Sequence, residues 1–260
     1  MNLICQKQAI EQLQEAARSK CQSILISGPS GCGKTYLAKL YSKLLDIPDF
    51  LVINSDVQSI RDCIEGCYNI SNKVVLCIEN IDSSQLSSSY SILKFLEEPL
   101  PNVFIIVTCC NIQKVPDTII SRSIVIEMSP PTYSDIVELY SSKDNSLLQK
   151  AMKTSVWRCV KSFKDAEYVM RMSDSQIAYF NGILGVLNSS DCISNIVWKL
   201  NHYEDNSEIP SSLSIQFIWE TTSSYKVKKA CVKCLNDIEK SRVAVHAILA
   251  RFVMEYKYGC

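Results

Sequence analysis

Residues Gly28 to Thr35 read GPSGCGKT, a stretch whose residue types and spacing point to a chemistry on their own. Of the seven glycines in the 260-residue chain, Gly28, Gly31 and Gly33 fall inside it. Gly-x4-Gly-Lys-Thr is the spacing of a phosphate-binding loop. The glycines let the backbone turn until its N–H groups face an anion, and the N-terminus of a following helix adds partial positive charge. Gly28, Pro29, Ser30, Gly31, Cys32, Gly33, Lys34 and Thr35 are the candidate nucleotide-binding residues. In such a loop Lys34 reaches the β- and γ-phosphates of ATP, and the Thr35 hydroxyl binds Mg2+. A glycine-rich turn that merely joins strand to helix is the alternative, and the flanking elements discriminate between the two.

Those flanks fit the loop. SILIS (23–27) precedes it as a short apolar strand, and KTYLAKLYSKLL (34–45) follows with helical spacing of its apolar residues. FLVIN (50–54), VVLCI (74–78), VFIIVT (103–108) and SIVIE (123–127) are four more strands, apolar enough to be covered on both faces. Helical patterns at 57–70 and 83–98 lie between them, the latter closed by Pro99. Five strands alternating with helices predict a parallel α/β sheet over 1–130. Beyond Pro130-Pro131 the strand signal fades. Thr132 with Asp135 has the spacing of a helix N-cap, and helices are expected near 134–141, 145–153, 156–172, 174–189, 191–201 and 212–258, with a polar loop at 201–212.

Composition narrows the setting. Lys plus Arg and Asp plus Glu are 27 each, so no global field draws the chain to DNA or anionic lipid. The opening residues lack the apolar core of a signal peptide, and no run approaches the roughly 18 apolar residues of a membrane span. An intracellular, cytoplasmic protein is expected. The thirteen cysteines then read as reduced core fillers. Cys231 and Cys234 form a CxxC, and Cys63 and Cys67 stand four apart, but neither pair has the second pair beside it that a structural zinc site needs.

The strand VVLCI carries Glu79 to its C-terminal end, where open α/β sheets place ligand chemistry. GPSGCGKT, this acidic strand end, ILKFLEEP (92–99), VFIIVT and KVPDTIISRS (114–123) occur in an order that resembles the AAA+ ATPase subunits of DNA clamp loaders. The likeness is to the bacterial delta-prime and gamma/tau subunits of DNA polymerase III, with replication factor C and phage loaders as relatives. It is strong over residues 1 to about 130 and weaker to about 172. It implies an AAA+ α/β domain at 1–130, a helical lid at 131–173 and a small all-helical collar at 174–260.

The resemblance also implies roles. Arg122 lies where the family carries the finger of its Ser-Arg-Cys motif, a guanidinium that acts in trans on the γ-phosphate held by the neighbouring subunit. A surface arginine on a loop is the plain alternative. Arg158, in VWRCVKSF (156–163), matches the sensor-2 position, and a helix-surface arginine is the competing reading there. Gln6 matches the segment beside the adenine, with Cys5 in place of the family's glycine. Thr108 to Asn111 occupy the sensor-1 region, where Cys109 and Cys110 replace the usual threonine.

The chain departs from the active pattern at the strand end. Active members close this strand with Asp-Glu, the first for Mg2+ and the second to polarise the attacking water. Here the pair is Glu79-Asn80. Glu79 keeps a carboxylate on the metal side, whereas Asn80 cannot accept a proton at neutral pH. Asp82 is the nearest carboxylate that could substitute. The expected function is an ATP-binding subunit of a pentameric loader that grips a sliding clamp and primer–template DNA, the DNA through its phosphates. The alternatives are a hydrolysis-deficient structural subunit that donates Arg122, or another AAA+ machine such as a helicase loader.

Overall fold

The computed structural model describes residues 6–69, 71–83, 86–188, 211–221, 228 and 231. Two compact units divide the chain, Met1–Leu139 and Tyr140–Cys260.

The first unit is built on five parallel strands, β1 (Ser23–Ser27), β2 (Asp49–Asn54), β3 (Val74–Glu79), β4 (Val103–Cys109) and β5 (Ile124–Glu127), in the spatial order β2-β3-β4-β1-β5. Parallel strands need crossovers, and after the leading helix α1 (Lys7–Arg18) four helices supply them: α2 (Lys34–Leu44), α3 (Val57–Tyr68), α4 (Leu86–Glu97) and the short α5 (Asp117–Ile120). Register places Ser27 beside Cys109 and beside Glu127, and Asn54 beside Glu79, so the C-terminal ends of all five strands lie along one edge. The residues just past those ends are the ones that can converge on a ligand.

Burial divides the strands by position. In β1 every residue is buried, as is every residue of β4, while β3 is buried up to Glu79. Leu25, Leu76, Ile105 and Val107 pack with Ile60 of α3 and Phe95 of α4. Tyr41 of α2 lies fully buried, edge-on to Phe104 at 6.4 Å, and its hydroxyl donates to the carbonyl of Cys21. The expectation that every strand is covered on both faces fails for β2 and β5. These are the edge strands, and Leu51 and Val52 of β2 remain 42% and 47% exposed.

The helices of the second half start with α6 (Tyr133–Ser141), where Thr132 and Asp135 form a reciprocal cap. The Thr132 N–H donates to Asp135 Oδ2 at 2.7 Å, and the Asp135 N–H to Thr132 Oγ1 at 3.3 Å. In the second unit α7 (Asn145–Met152) is capped by Asp144, whose carboxylate accepts the Leu147 N–H. The single helix expected at 156–172 is instead a 3-10 segment, Ser155–Cys159, followed by α8 (Phe163–Met170). Ser162 explains the break, because its side chain accepts the Asp165 N–H and so starts a new helix there. Then come α9 (Asp174–Asn188) and α10 (Ser211–Thr221), joined in an aromatic contact between Phe180 and Phe217 at 5.0 Å. The helices expected at 191–201 and beyond 221, and most of the polar loop at 201–212, lie outside the described residues. Among those residues no helix is long and apolar enough to cross a membrane.

Candidate functional site

The loop GPSGCGKT leaves the end of β1 and enters α2 at Lys34. Gly31 and Gly33 hold φ of 75° and 103°, left-handed values that a side chain disfavours. Gly28 is required for a different reason. A Cβ there would lie 2.8 Å from the carbonyl oxygen of Met128 and 2.9 Å from its Cβ, just past the end of β5. Gly33 is the N-cap of α2 and no side chain caps the helix, so its first N–H groups face the loop without a side-chain acceptor. Cys32, within the loop, is buried, and burial pushes its thiol up, as it does for Cys109.

Lys34 is buried and donates to three acceptors. Its Nζ lies 2.7 Å from the Gly28 carbonyl, 3.0 Å from that of Pro29 and 3.4 Å from Cys110 Sγ. These match the three hydrogens of an ammonium. The Thr35 hydroxyl donates to Glu79 Oε1, so the first turn of α2 and the end of β3 meet through a hydroxyl and a carboxylate. That oxygen pair suits a hard divalent cation such as Mg2+. Together with the glycine cradle and the open start of α2, the loop has the donor set that a triphosphate with its metal requires.

Asn80 follows at φ 55°. Asparagine is among the few residues with a side chain that enter this region readily. Its N–H donates to Thr108 Oγ1 at 3.1 Å, and its carbonyl accepts from Ser55 Oγ at 3.1 Å and Ser83 Oγ at 2.8 Å. Asp82 is already committed, because Oδ1 accepts the Cys110 N–H at 3.1 Å and Oδ2 the Asn111 N–H at 3.0 Å. Both its oxygens hold the backbone after β4. In the 108–111 segment Thr108 is buried against Asn80, and Asn111 accepts the Gln113 N–H at 2.9 Å. Cys110 alone of these side chains contacts Lys34, and its thiol donates to Asn80 Oδ1 at 3.8 Å.

Gln6 and Arg122, both of the first unit, bond to residues outside this cluster. Gln6 is buried with both ends of its amide engaged by Ser129, Nε2 donating to the carbonyl at 2.6 Å and Oε1 accepting the N–H at 3.2 Å. It thereby ties the start of α1 to the segment after β5. Arg122 is exposed one turn past α5 and paired with Glu97 at 2.8 Å. Arg158 belongs to the second unit, exposed on the 3-10 segment rather than on an α-helix. Cys63 and Cys67 sit one turn apart on α3, and among the described residues no group of three His, Cys, Asp or Glu gathers to hold a metal ion.

Residues 46–132 match the family model described as DNA polymerase III, delta subunit. Over 204 residues the chain is 26% identical to the DNA polymerase III subunit gamma of Buchnera aphidicola subsp. Schizaphis graminum, covering 63% of this chain and 56% of that protein. This similarity supports a clamp-loader-type AAA+ ATPase as what the chain resembles. A second gamma subunit, from Buchnera aphidicola subsp. Baizongia pistaciae, is 28% identical over 117 residues, 42% of this chain and 32% of its own length. The chain therefore spans about half, or less, of the length of the curated relatives it matches. Its fold is shared with a DNA polymerase III gamma subunit-related protein of Thermotoga maritima, at a TM-score of 0.55 and 15% identity over 95% of this chain and 98% of that one. It is shared equally with RuvB of the same organism, at a TM-score of 0.55 and 16% identity over 98% and 84%.

Two features of this region were not readable as motifs. Asp82 accepts one backbone N–H on each oxygen and so holds the segment after β4. Glu97 meets Arg122, although nothing in the two local sequences says so. The available signal was electrostatic, a glutamate at the C-terminal end of a helix, where negative charge is disfavoured.

Proposed function

We propose that this chain binds ATP with Mg2+ and serves as a subunit of a DNA sliding-clamp loader in replication, within an oligomer that holds a clamp and primer–template DNA. The observation that carries the reading is the contact of the Thr35 hydroxyl with Glu79 beside a buried Lys34. Gly28 to Thr35 would hold the phosphates, with Thr35 and Glu79 as the metal-side oxygens. When bound, Mg2+ supplies neutralisation of charge between the phosphates. Lys34 would exchange carbonyl acceptors for phosphate oxygens, and Arg122 would reach the site of an adjoining protomer. Residues 131–173 would form the lid, with Arg158 as its nucleotide contact, and 174–260 the collar. The gamma-subunit names of the relatives support the replication setting. The equal likeness to RuvB keeps a different AAA+ machine as the competitor.

Asn80 and Asp82 favour one version of this reading, tight binding with slow turnover. Asn80 cannot take a proton, and Asp82 is held by two backbone N–H groups. The deciding experiment is purification with native partner chains, followed by ATP hydrolysis with and without clamp and primed DNA. Stimulation by both is expected. An assembly that forms with neither clamp nor primed DNA, or whose turnover ignores them, overturns the proposal.

A further inference from the structure

Glu97 is the last residue of α4, at the negative pole of the helix dipole, where a carboxylate costs roughly 0.3–1 kcal/mol. Its Oε1 accepts from Arg122 Nη2 at 2.8 Å. Arg122 Nη1 donates further to the Thr118 carbonyl at 3.0 Å and to Ser121 Oγ at 3.4 Å. Among the described residues these bonds take three of the five N–H groups of a guanidinium, leaving two as donors for an incoming anion. Both side chains are substantially exposed, at 36% for Arg122 and 51% for Glu97, so the pair adds little to stability. It does restrict direction. A long arginine side chain carries rotamer freedom that an unrestrained finger would lose only on meeting its target.

We propose that Glu97 is the positioning residue of Arg122, holding the guanidinium ordered at the protomer surface so that its free donors meet the triphosphate bound by the adjoining chain. This rests on Arg122 acting in trans, and the test separates the two ideas. The Glu97→Gln, Glu97→Asp and Arg122→Ala variants are each assembled with the native partner chains, and steady-state ATP hydrolysis is measured. Glu97→Gln is expected to lower kcat about 5-fold, the equivalent of ordering part of one side chain. KM, the melting temperature and ATP binding by the variant chain's own loop should stay at wild-type values, and Glu97→Asp should recover part of the loss. If Arg122→Ala lowers turnover while Glu97→Gln does not, the positioning role is wrong and the finger stands. If Arg122→Ala has no effect, both fall. A Glu97→Gln loss matched by a fall in melting temperature or assembly marks an ordinary structural pair and also overturns the inference.

Discussion

The hydroxyl of Thr35, one residue into α2, donates to the carboxylate of Glu79 at the end of β3, and this bond joins the start of α2 to a strand that β4 separates from β1. Two residues 44 apart in the chain thereby present adjoining oxygens at the start of the helix that Lys34 opens.

The first prediction concerns that corner. Charge-assisted bonds contribute ~1.5–3 kcal/mol, so Lys34→Ala should weaken ATP binding by about 10- to 100-fold in titration calorimetry. Glu79→Gln should bind ATP in EDTA as the wild type does but lose the tightening that Mg2+ brings. Equal Mg2+-ATP affinity in Glu79→Gln and wild type would show that this carboxylate does not hold the metal.

Asn80 is the residue to change for turnover. A general base contributes roughly 10²–10⁴-fold, so Asn80→Glu should raise single-turnover hydrolysis in the assembly toward the lower end of that range. The same change places a less tolerant side chain at φ 55°, at a cost of ~1–2 kcal/mol, and the melting temperature should fall. Asn80→Ala should show the stability loss without the gain in rate.

Gly28→Ala should destabilise the fold as well as the site. The new methyl would meet the Met128 carbonyl at 2.8 Å, and such overpacking costs ~1–3 kcal/mol. Urea denaturation of this variant should show a lower midpoint with an unchanged slope.

Alkaline pH offers a test of burial. Burial, with a smaller push from Glu79, raises the Cys77 thiol from an ordinary value near 9 up to about 12. Between those pH values the unfolded chain has lost this proton and the native chain keeps it, so stability falls as pH rises, by up to ~1.4 kcal/mol per unit from this group. Below pH 9 the group contributes no slope. Cys77→Val, compared with wild type by urea denaturation from pH 8 upward, should show the shallower decline.

Much of this protein is legible in its amino-acid sequence. The proposed phosphate loop is eight consecutive residues, so its glycines, lysine and threonine are legible as a motif by spacing alone. The parallel strands are legible for a similar reason, as short apolar runs separated by helical periodicity. The break at 160–162 is not. A serine cap competes with apolar spacing that runs on through it, and the cap wins by satisfying an N–H that the helix start leaves open.

By itself, then, the sequence determined the fold class, the glycine-rich loop between β1 and α2 and an uncharged amide at position 80, because each depends on residue type or on neighbours within a few positions. Only the tertiary structure decided which strands lie at the edges and so leave Leu51 and Val52 open. It also decided the partners of Asp82 and Glu97, which stand 28 and 25 residues away. A carboxylate carries no local mark of what it will meet, since its partner is chosen by how the sheet and its crossovers bring distant backbone and side chains together.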